Sequence, residues 1–424
     1  MPLNIAPPVL VRRAKILSKF VSVQLVVQAL GLACGILLVR TMDQQQYAYF
    51  TIANSMQATM NMLANMGIGM SLSAIGGKVW QDRYRFGQLI NTALQLRYYL
   101  AMISITVITP ILIWMLIRSG ASLFYAILVT FAALVGLSFE LTSGVLLVVP
   151  RLHSQIDRVQ NLELISVISR LILLGVAYLT SLNAAVAIAT ASIILGLRRF
   201  ILVRWASEKL DTKAPVNEEY RKSILATVKN VFPNSIFFCA QGQLNIFLIS
   251  IFGSAENVAE VGVLGRLAVI FMLIQSVMNT IILPSFAKCQ SIHTLRRRYF
   301  QILGVFLTIG AIIIGFAAIF PREIIWIFGN NYSHLQSEIL LMVCLTVFTS
   351  FVGIMSSLNY SKSWVEHVWI EIPIRLILQA ILLTILDIST VRGILLLSLL
   401  SNISPFMVNA MLTYRGLKKQ ECIN

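Results

Sequence analysis

Residues 231–286 read VFPNSIFFCAQGQLNIFLISIFGSAENVAEVGVLGRLAVIFMLIQSVMNTIILPSF. Two apolar runs are joined by a short polar link, Gly253 to Glu256. Each run is long enough to cross ~30 Å of hydrocarbon at ~1.5 Å per residue. The first carries Asn234, Gln241 and Asn245, at offsets of 7 and 11 residues, so all three project from one helix face. The second carries Arg266, about ten residues in from the outer end and so near the bilayer midplane. A charge at that depth costs at least ~2.5 kcal/mol, and nothing apolar requires it. The pair is expected to line a polar cavity in which Arg266 meets something negative.

The rest of the composition agrees. The chain has 424 residues, 58% hydrophobic and 12% charged, with mean hydropathy +0.82. A soluble protein of this length could not hide that much apolar surface, so an all-α polytopic membrane protein is expected. Helices follow because a spanning backbone must satisfy its own hydrogen bonds. The net charge of +16 would suggest nucleic acid in a soluble protein. Here the positive charges sit in short loops, so topology explains them and no nucleic-acid partner is expected. The basic N-terminus lacks a short apolar core with a small-residue cleavage site and does not read as a removable signal peptide. Cys34, Cys239 and Cys344 fall in apolar runs, Cys289 in a basic loop and Cys422 in the tail. Without a CxxC or metal spacing these are expected to be free thiols, with no metal and no cofactor.

Twelve spans are expected, at 20–40, 47–73, 89–117, 122–149, 160–180, 183–203, 225–251, 257–283, 299–320, 335–357, 364–386 and 390–412. If the N-terminus is cytoplasmic, 24 of the 33 Lys and Arg lie on that side and four on the other, with five inside helices. That split fixes both termini as cytoplasmic. The most hydrophilic segment, 204–224, reads as a linker between six-helix lobes at 1–203 and 225–424. A shift of 210 lays Gln24, Gln28, Gly31 and Gly35 over Asn234, Phe238, Gln241 and Asn245, which suggests a parallel repeat. Asn54, Gln57, Asn61 and Asn65 form a further polar stripe. Helix–helix glue is the competing explanation, above all for the Gly31/Gly35 GxxxG.

On these residues the chain resembles the polysaccharide-biosynthesis (O-antigen flippase) branch of the multidrug/oligosaccharidyl-lipid/polysaccharide (MOP) exporter superfamily. LLVRTMDQQQYAYFTIANSMQATMNMLANMGIGMSLS (37–73) is similar to that family's opening hairpin. EVGVLGRLAVIFMLIQSVMNTIILPSFAK (260–288) resembles the matching hairpin of the second half, with an arginine after a small residue and a closing proline, Pro284. IFPREIIWIFGNNY (319–332) resembles the turn after the ninth helix. Gln46-Tyr47-Ala48 departs from the family's tyrosine–glycine. The resemblance implies a MATE-like fold of two pseudo-symmetric lobes rocking around a cavity. It also implies a cargo of undecaprenyl-diphosphate-linked oligosaccharide, flipped to the outer leaflet of the bacterial inner membrane. A diphosphate wants guanidinium groups, which bind phosphate in a bidentate way.

The expected substrate-binding residues are Arg266, Arg170, Asn234, Gln241, Asn245, Asn61 and Arg40. Arg170 has Glu163 seven residues earlier on the same face, so an ion pair and substrate contact are both open. Arg40 and Arg97 read as close enough to helix ends to snorkel, which favours interfacial anchoring. Glu371, Arg375 and Glu140 are the expected ion-coupling residues. Glu371 and Arg375 are four apart, so an internal pair is equally open, with Pro373 between them as a kink. A proton or sodium ion is the expected coupling ion. A monomer is expected, in transient contact with a polysaccharide polymerase. His153, His293, His334 and His367 fall in loops or at helix ends and receive no role.

No nucleotide-binding loop occurs, since Gly77-Lys78 has Leu72 where the first glycine belongs. The chain reads as a transporter, not an enzyme. The alternatives are a multidrug exporter, which favours an acidic midplane site, and a membrane polymerase or ligase, which needs a larger outer loop. Arg266→Ala is expected to abolish surface polysaccharide while membrane insertion persists, with Arg266→Lys rescuing only partly. Immunoblotting of polymer at equal protein level checks this, and normal polymer in the Ala variant removes Arg266 from the mechanism.

Overall fold

The computed structural model describes residues 7–153, 155–278, 282–283, 286, 289, 291–362, 364, 366 and 368–421, with side chains described except at 7–21, 230, 270, 273, 276, 330, 420 and 421. Pro284, His367 and Cys422 lie outside the described residues. The described chain is helical throughout: α1 (Pro7–Thr41), α2 (Gln44–Ala64), α3 (Ile68–Val79), α4 (Arg83–Arg118), α5 (Leu123–Leu146), α6 (Val148–Leu152), α7 (Ile156–Thr180), α8 (Ala184–Lys209) and α9 (Glu218–Phe252) come first. They are followed by α10 (Ala255–Leu264), α11 (Val269–Val277), α12 (Ile292–Ile319), α13 (Pro321–Phe328), α14 (Gln336–Ser361), α15 (Glu371–Ile385), α16 (Val391–Ser401) and α17 (Ile403–Glu421).

Helices occur in all twelve expected intervals, and among the described residues ten are long and apolar enough to cross a membrane. The two that fall short are the second span of each expected half, both read from the sequence as continuous. The first breaks between α2 and α3 at Gly67, whose φ of +68° only glycine adopts cheaply. The second tightens without leaving helical backbone into a 3-10 turn, Gly265–Ala268, which lies between α10 and α11 and contains Arg266. Amides explain the low hydropathy of α2, and the other span includes residues outside the described set.

Residue contacts divide the chain into two compact units, Met1–Ile251 and Phe252–Asn424. In the first, α5 packs most extensively on α8, α2 on α4 and α1 on α7. Small residues let α5 and α8 approach: a Cβ on Gly136 would lie 2.4 Å from Ser192 Oγ, which itself donates to Ala132 O at 2.8 Å. Gln46, at the family departure, ties three helix starts together. Its Oε1 accepts from Tyr125 Oη at 2.6 Å and from Ala184 N at 3.1 Å. One end of the unit is an apolar core that includes Ile68, Leu72, Phe86, Leu89, Leu202, Ile224 and Val228.

The segment between α8 and α9 is strapped onto α4. Asp211 N donates to Arg83 O at 3.0 Å, Asn91 Nδ2 to Ala214 O at 2.7 Å, and Asn217 N to Thr92 Oγ1 at 3.0 Å. In the second unit α14 packs against α12, α16 and α17. A buried polar knot joins three of its helices: Tyr299 Oη meets Thr413 Oγ1 at 2.7 Å, Thr413 donates to Asn359 Oδ1 at 3.0 Å, and Asn359 Nδ2 donates to Asn409 Oδ1 at 3.2 Å.

The α2–α3 break is also where α9 comes closest, since a Cβ on Gly67 would lie 3.1 Å from Val228 Cα. Gly67→Ala therefore adds left-handed backbone strain of about 1–2 kcal/mol to a backbone contact. Its thermal unfolding midpoint, read by size-exclusion after heating, is expected to fall by several degrees. Gly69→Ala, whose Cβ meets only the Asn65 side chain at 3.6 Å, is expected to leave the midpoint unchanged.

Candidate functional site

The amide stripe of α2 is where the first unit concentrates its polar groups. Asn61 Nδ2 donates to Glu140 Oε1 of α5 at 2.9 Å, and Asn61 Oδ1 accepts from Arg97 Nη2 of α4 at 2.7 Å. An amide suits this position because it offers a donor and an acceptor at once. Gln57, one turn earlier in α2, also hydrogen-bonds Glu140, and Arg97 and Arg198 both lie within its electrostatic reach. Arg97 is 2% exposed. Gly144 makes room for it, because a Cβ there would lie 2.2 Å from Arg97 Nη1. Arg97 is thus not an interfacial anchor. The expected helix began at 89, whereas α4 begins at Arg83, so Arg97 sits fourteen residues from the helix start and bonds α2 from there.

Beside this network, within the same unit, is a cavity of about 340 Å³. Its polar lining is Gln24 and Gln28 from α1, Glu163, Ser166 and Arg170 from α7, and Arg198 from α8. Val27, Val167, Ala191, Ile194 and Leu195 complete the wall. Glu163 and Arg170 share a face of α7 as their spacing indicated, and the cavity gathers both. Glu163 lies within electrostatic reach of Arg198 and of Arg151. Along α7, Glu163 sits ~10 Å and Arg170 ~21 Å from the helix start, so the cavity runs from one end toward mid-membrane.

Arg198 was missed by sequence reasoning, which counted it among the loop-flanking charges. The reason is helix length, since α8 continues to Lys209 and leaves Arg198 eleven residues inside. The Gln24/Gln28 pair, one turn apart in the apolar part of α1, was the available signal for the facing wall.

The other expected residues lie elsewhere. Gln241 and Asn245 are half-buried on α9 and Asn234 is exposed. Arg40 is exposed in the last turn of α1, where the helix dipole favours a cation. Arg266 is half-buried in its 3-10 turn in the second unit. Glu371 and Arg375 form an ion pair at 3.7 Å, with side chains 9% and 14% exposed respectively. Next to Glu371 is a cleft of about 10 Å³ lined by Ser356, Asn359, Tyr360 and Asn409, among others, with room for roughly one water. His334, given no role above, bonds Glu260 at 2.6 Å. Among the described residues no group of three or more His, Cys, Asp or Glu could hold a metal ion.

This is the fold of the MOP-superfamily transporters, in a multi-pass membrane protein. The chain is similar to a multidrug resistance MATE family transporter of the MOP superfamily in its inward-facing conformation, at TM-score 0.73 and 16% identity, covering 94% of this chain and 99% of that one. It is similar to the lipid II flippase MurJ in an inward closed conformation, at TM-score 0.70 and 12% identity over 95% and 89% of the two chains. A MOP superfamily transporter from Pyrococcus furiosus, described as having a binding pocket of reversed polarity, gives TM-score 0.63 at 15% identity over 95% of each chain. No family model and no curated protein matches the sequence.

Removing one partner of a buried charge set costs about 3–5 kcal/mol, whereas removing both can be near neutral. Glu140→Gln is expected to lower the unfolding midpoint by many degrees. The Arg97→Met/Glu140→Gln double variant should recover much of that loss in a double-mutant cycle. A double-variant loss equal to the sum of the Arg97→Met and Glu140→Gln losses would show that the two groups are not energetically coupled.

Proposed function

We propose that the protein is a MOP-type transporter that flips undecaprenyl-diphosphate-linked oligosaccharide from the cytoplasmic to the outer leaflet of a bacterial plasma membrane, for surface polysaccharide. In this reading two pseudo-symmetric lobes, 1–203 and 225–424 joined by 204–224, alternate access, and both termini are cytoplasmic. The protein acts as a transporter and not as an enzyme. One observation carries the reading: the first unit's cavity is lined by two guanidiniums, Arg170 and Arg198, against a single carboxylate, Glu163. Such a surplus attracts an anion, and guanidinium forks match phosphate oxygens. About 340 Å³ is at the low end for small-ligand sites, so it suits a diphosphate and not an oligosaccharide. The similarity in fold to a lipid II flippase fits a lipid-linked cargo. Arg266, Asn61, Gln241, Asn245, Asn234 and Arg40 are the further contacts proposed along the path.

The MATE resemblance supports a second reading, a cation-coupled multidrug exporter, in which Glu140, Glu371 and Arg375 would couple a proton or sodium ion. The surroundings of the two acids weigh against an organic-cation site. Glu140 is engaged by Asn61 and Gln57 beside Arg97, and Glu371 is paired with Arg375. A membrane polymerase ranks last, since the segment between α12 and α14 is short and is itself folded into α13.

The test is reconstitution in liposomes with a fluorescent polyprenyl-diphosphate glycolipid, read by quenching of outer-leaflet label. Wild-type protein is expected to accelerate exchange. Arg170→Gln and Arg198→Gln should each slow it about tenfold, the loss of one charge-assisted phosphate contact. Organic-cation export that survives both substitutions, without lipid exchange by the wild type, would sink the reading in favour of the second.

A further inference from the structure

Arg198 is a shared group. It lines the cavity beside Arg170 and lies within electrostatic reach of two carboxylates, Glu163 on the cavity wall and Glu140 behind it. Its Nε is buried and makes no hydrogen bond. The two acids are unequally provided with other partners. Glu140 keeps Asn61, Gln57 and Arg97 whatever Arg198 does. Glu163 faces Arg198 from α8 and Arg151 from α6, while the described part of α1 offers it only the amides Gln24 and Gln28. On α7 itself, Arg170 lies two turns further along the same wall.

An anion entering the cavity must compete with Glu163 for Arg198. We infer that a phosphate group bound here takes Arg198 as its ligand and that Glu163, left with a weaker counter-charge, takes up a proton. Anion binding and proton uptake are then coupled inside the first unit. A Glu163 carboxylate oxygen accepts the proton from water, and no phosphate bond forms or breaks. The sign follows from charge: a carboxylate that loses a neighbouring cation holds a proton more readily. By reciprocity the proton then favours the anion, so binding tightens as pH falls. The inference rests on the phosphate reading given above, and it adds to that reading a proton taken up as each headgroup binds.

Calorimetry of inorganic pyrophosphate binding to the full-length protein in detergent, in two buffers of different ionisation enthalpy, counts the protons. Pyrophosphate held by guanidiniums sheds its own protons, so the ligand contributes with the opposite sign. Wild-type protein is expected to take up as much as about one proton more per bound pyrophosphate than Glu163→Gln. Arg198→Gln should bind more weakly and lose that difference. Equal proton counts in wild type and Glu163→Gln overturn the coupling and leave the phosphate reading standing. Absence of pyrophosphate binding by the wild type overturns both. If Glu163→Gln does not fold, sulfate binding to the wild type decides, because sulfate does not itself titrate over the range used. Its affinity should rise by up to about tenfold per unit as pH falls from about 8 to about 6.5. A fall in affinity over that range overturns the inference.

Discussion

The constraint on which the first unit depends is the cost of a guanidinium in a low-dielectric interior. Arg97 is almost wholly buried, and nothing apolar can hold it there. Asn61 is fixed between Arg97 and Glu140 for that reason, and Gly144 lacks a side chain because the guanidinium occupies its space. The amide stripe of α2 supplies the donors and acceptors, which is why that helix is too polar to register as an ordinary span. One buried cation thus fixes how α2, α4 and α5 pack, and Glu140 carries its field on to Arg198 in α8.

Much of the fold was legible in the sequence, because apolar runs of bilayer length have one way of satisfying their backbone. All twelve intervals hold helix, and the Glu371–Arg375 and Glu163–Arg170 spacings mark groups that do share a helix face or a bond. Helix ends were the weak point. Apolar periodicity stops at the membrane, whereas α4 and α8 continue for several residues beyond it. Those extensions made Arg198 look like a loop-flanking charge, whereas Arg97 was misread because its partner lies on another helix. Pairing across helices was not legible either. Asn61 and Glu140 lie 79 residues apart, and neither sequence nor spacing says that they touch.

The balance of charge decides what a cavity of this kind can attract. A buried acid already engaged by amides and bordered by a guanidinium presents little net field to an organic cation. The pair Glu371–Arg375 in the second unit is in the same condition. Around Arg170 and Arg198 the excess runs the other way. The same fold therefore accommodates opposite polarities by exchanging a few side chains, and its likeness to transporters at 12–16% identity leaves the cargo to those side chains.

The interrupted second spans follow from the same physics. A non-helical backbone at membrane depth is tolerated only inside protein or against water. At the first break Met66 and Ile68 are buried, and the α9 backbone closes over Gly67. At the second, Leu264 and Leu267 are buried on either side of Gly265 and Arg266. The left-handed turn at Gly67 is therefore no lipid-facing defect. The 3-10 turn tightens the helix at Gly265–Ala268 without leaving helical backbone, so its carbonyls and amides stay paired within the segment and Arg266 is carried on a helix whose flanking Leu264 and Leu267 are buried.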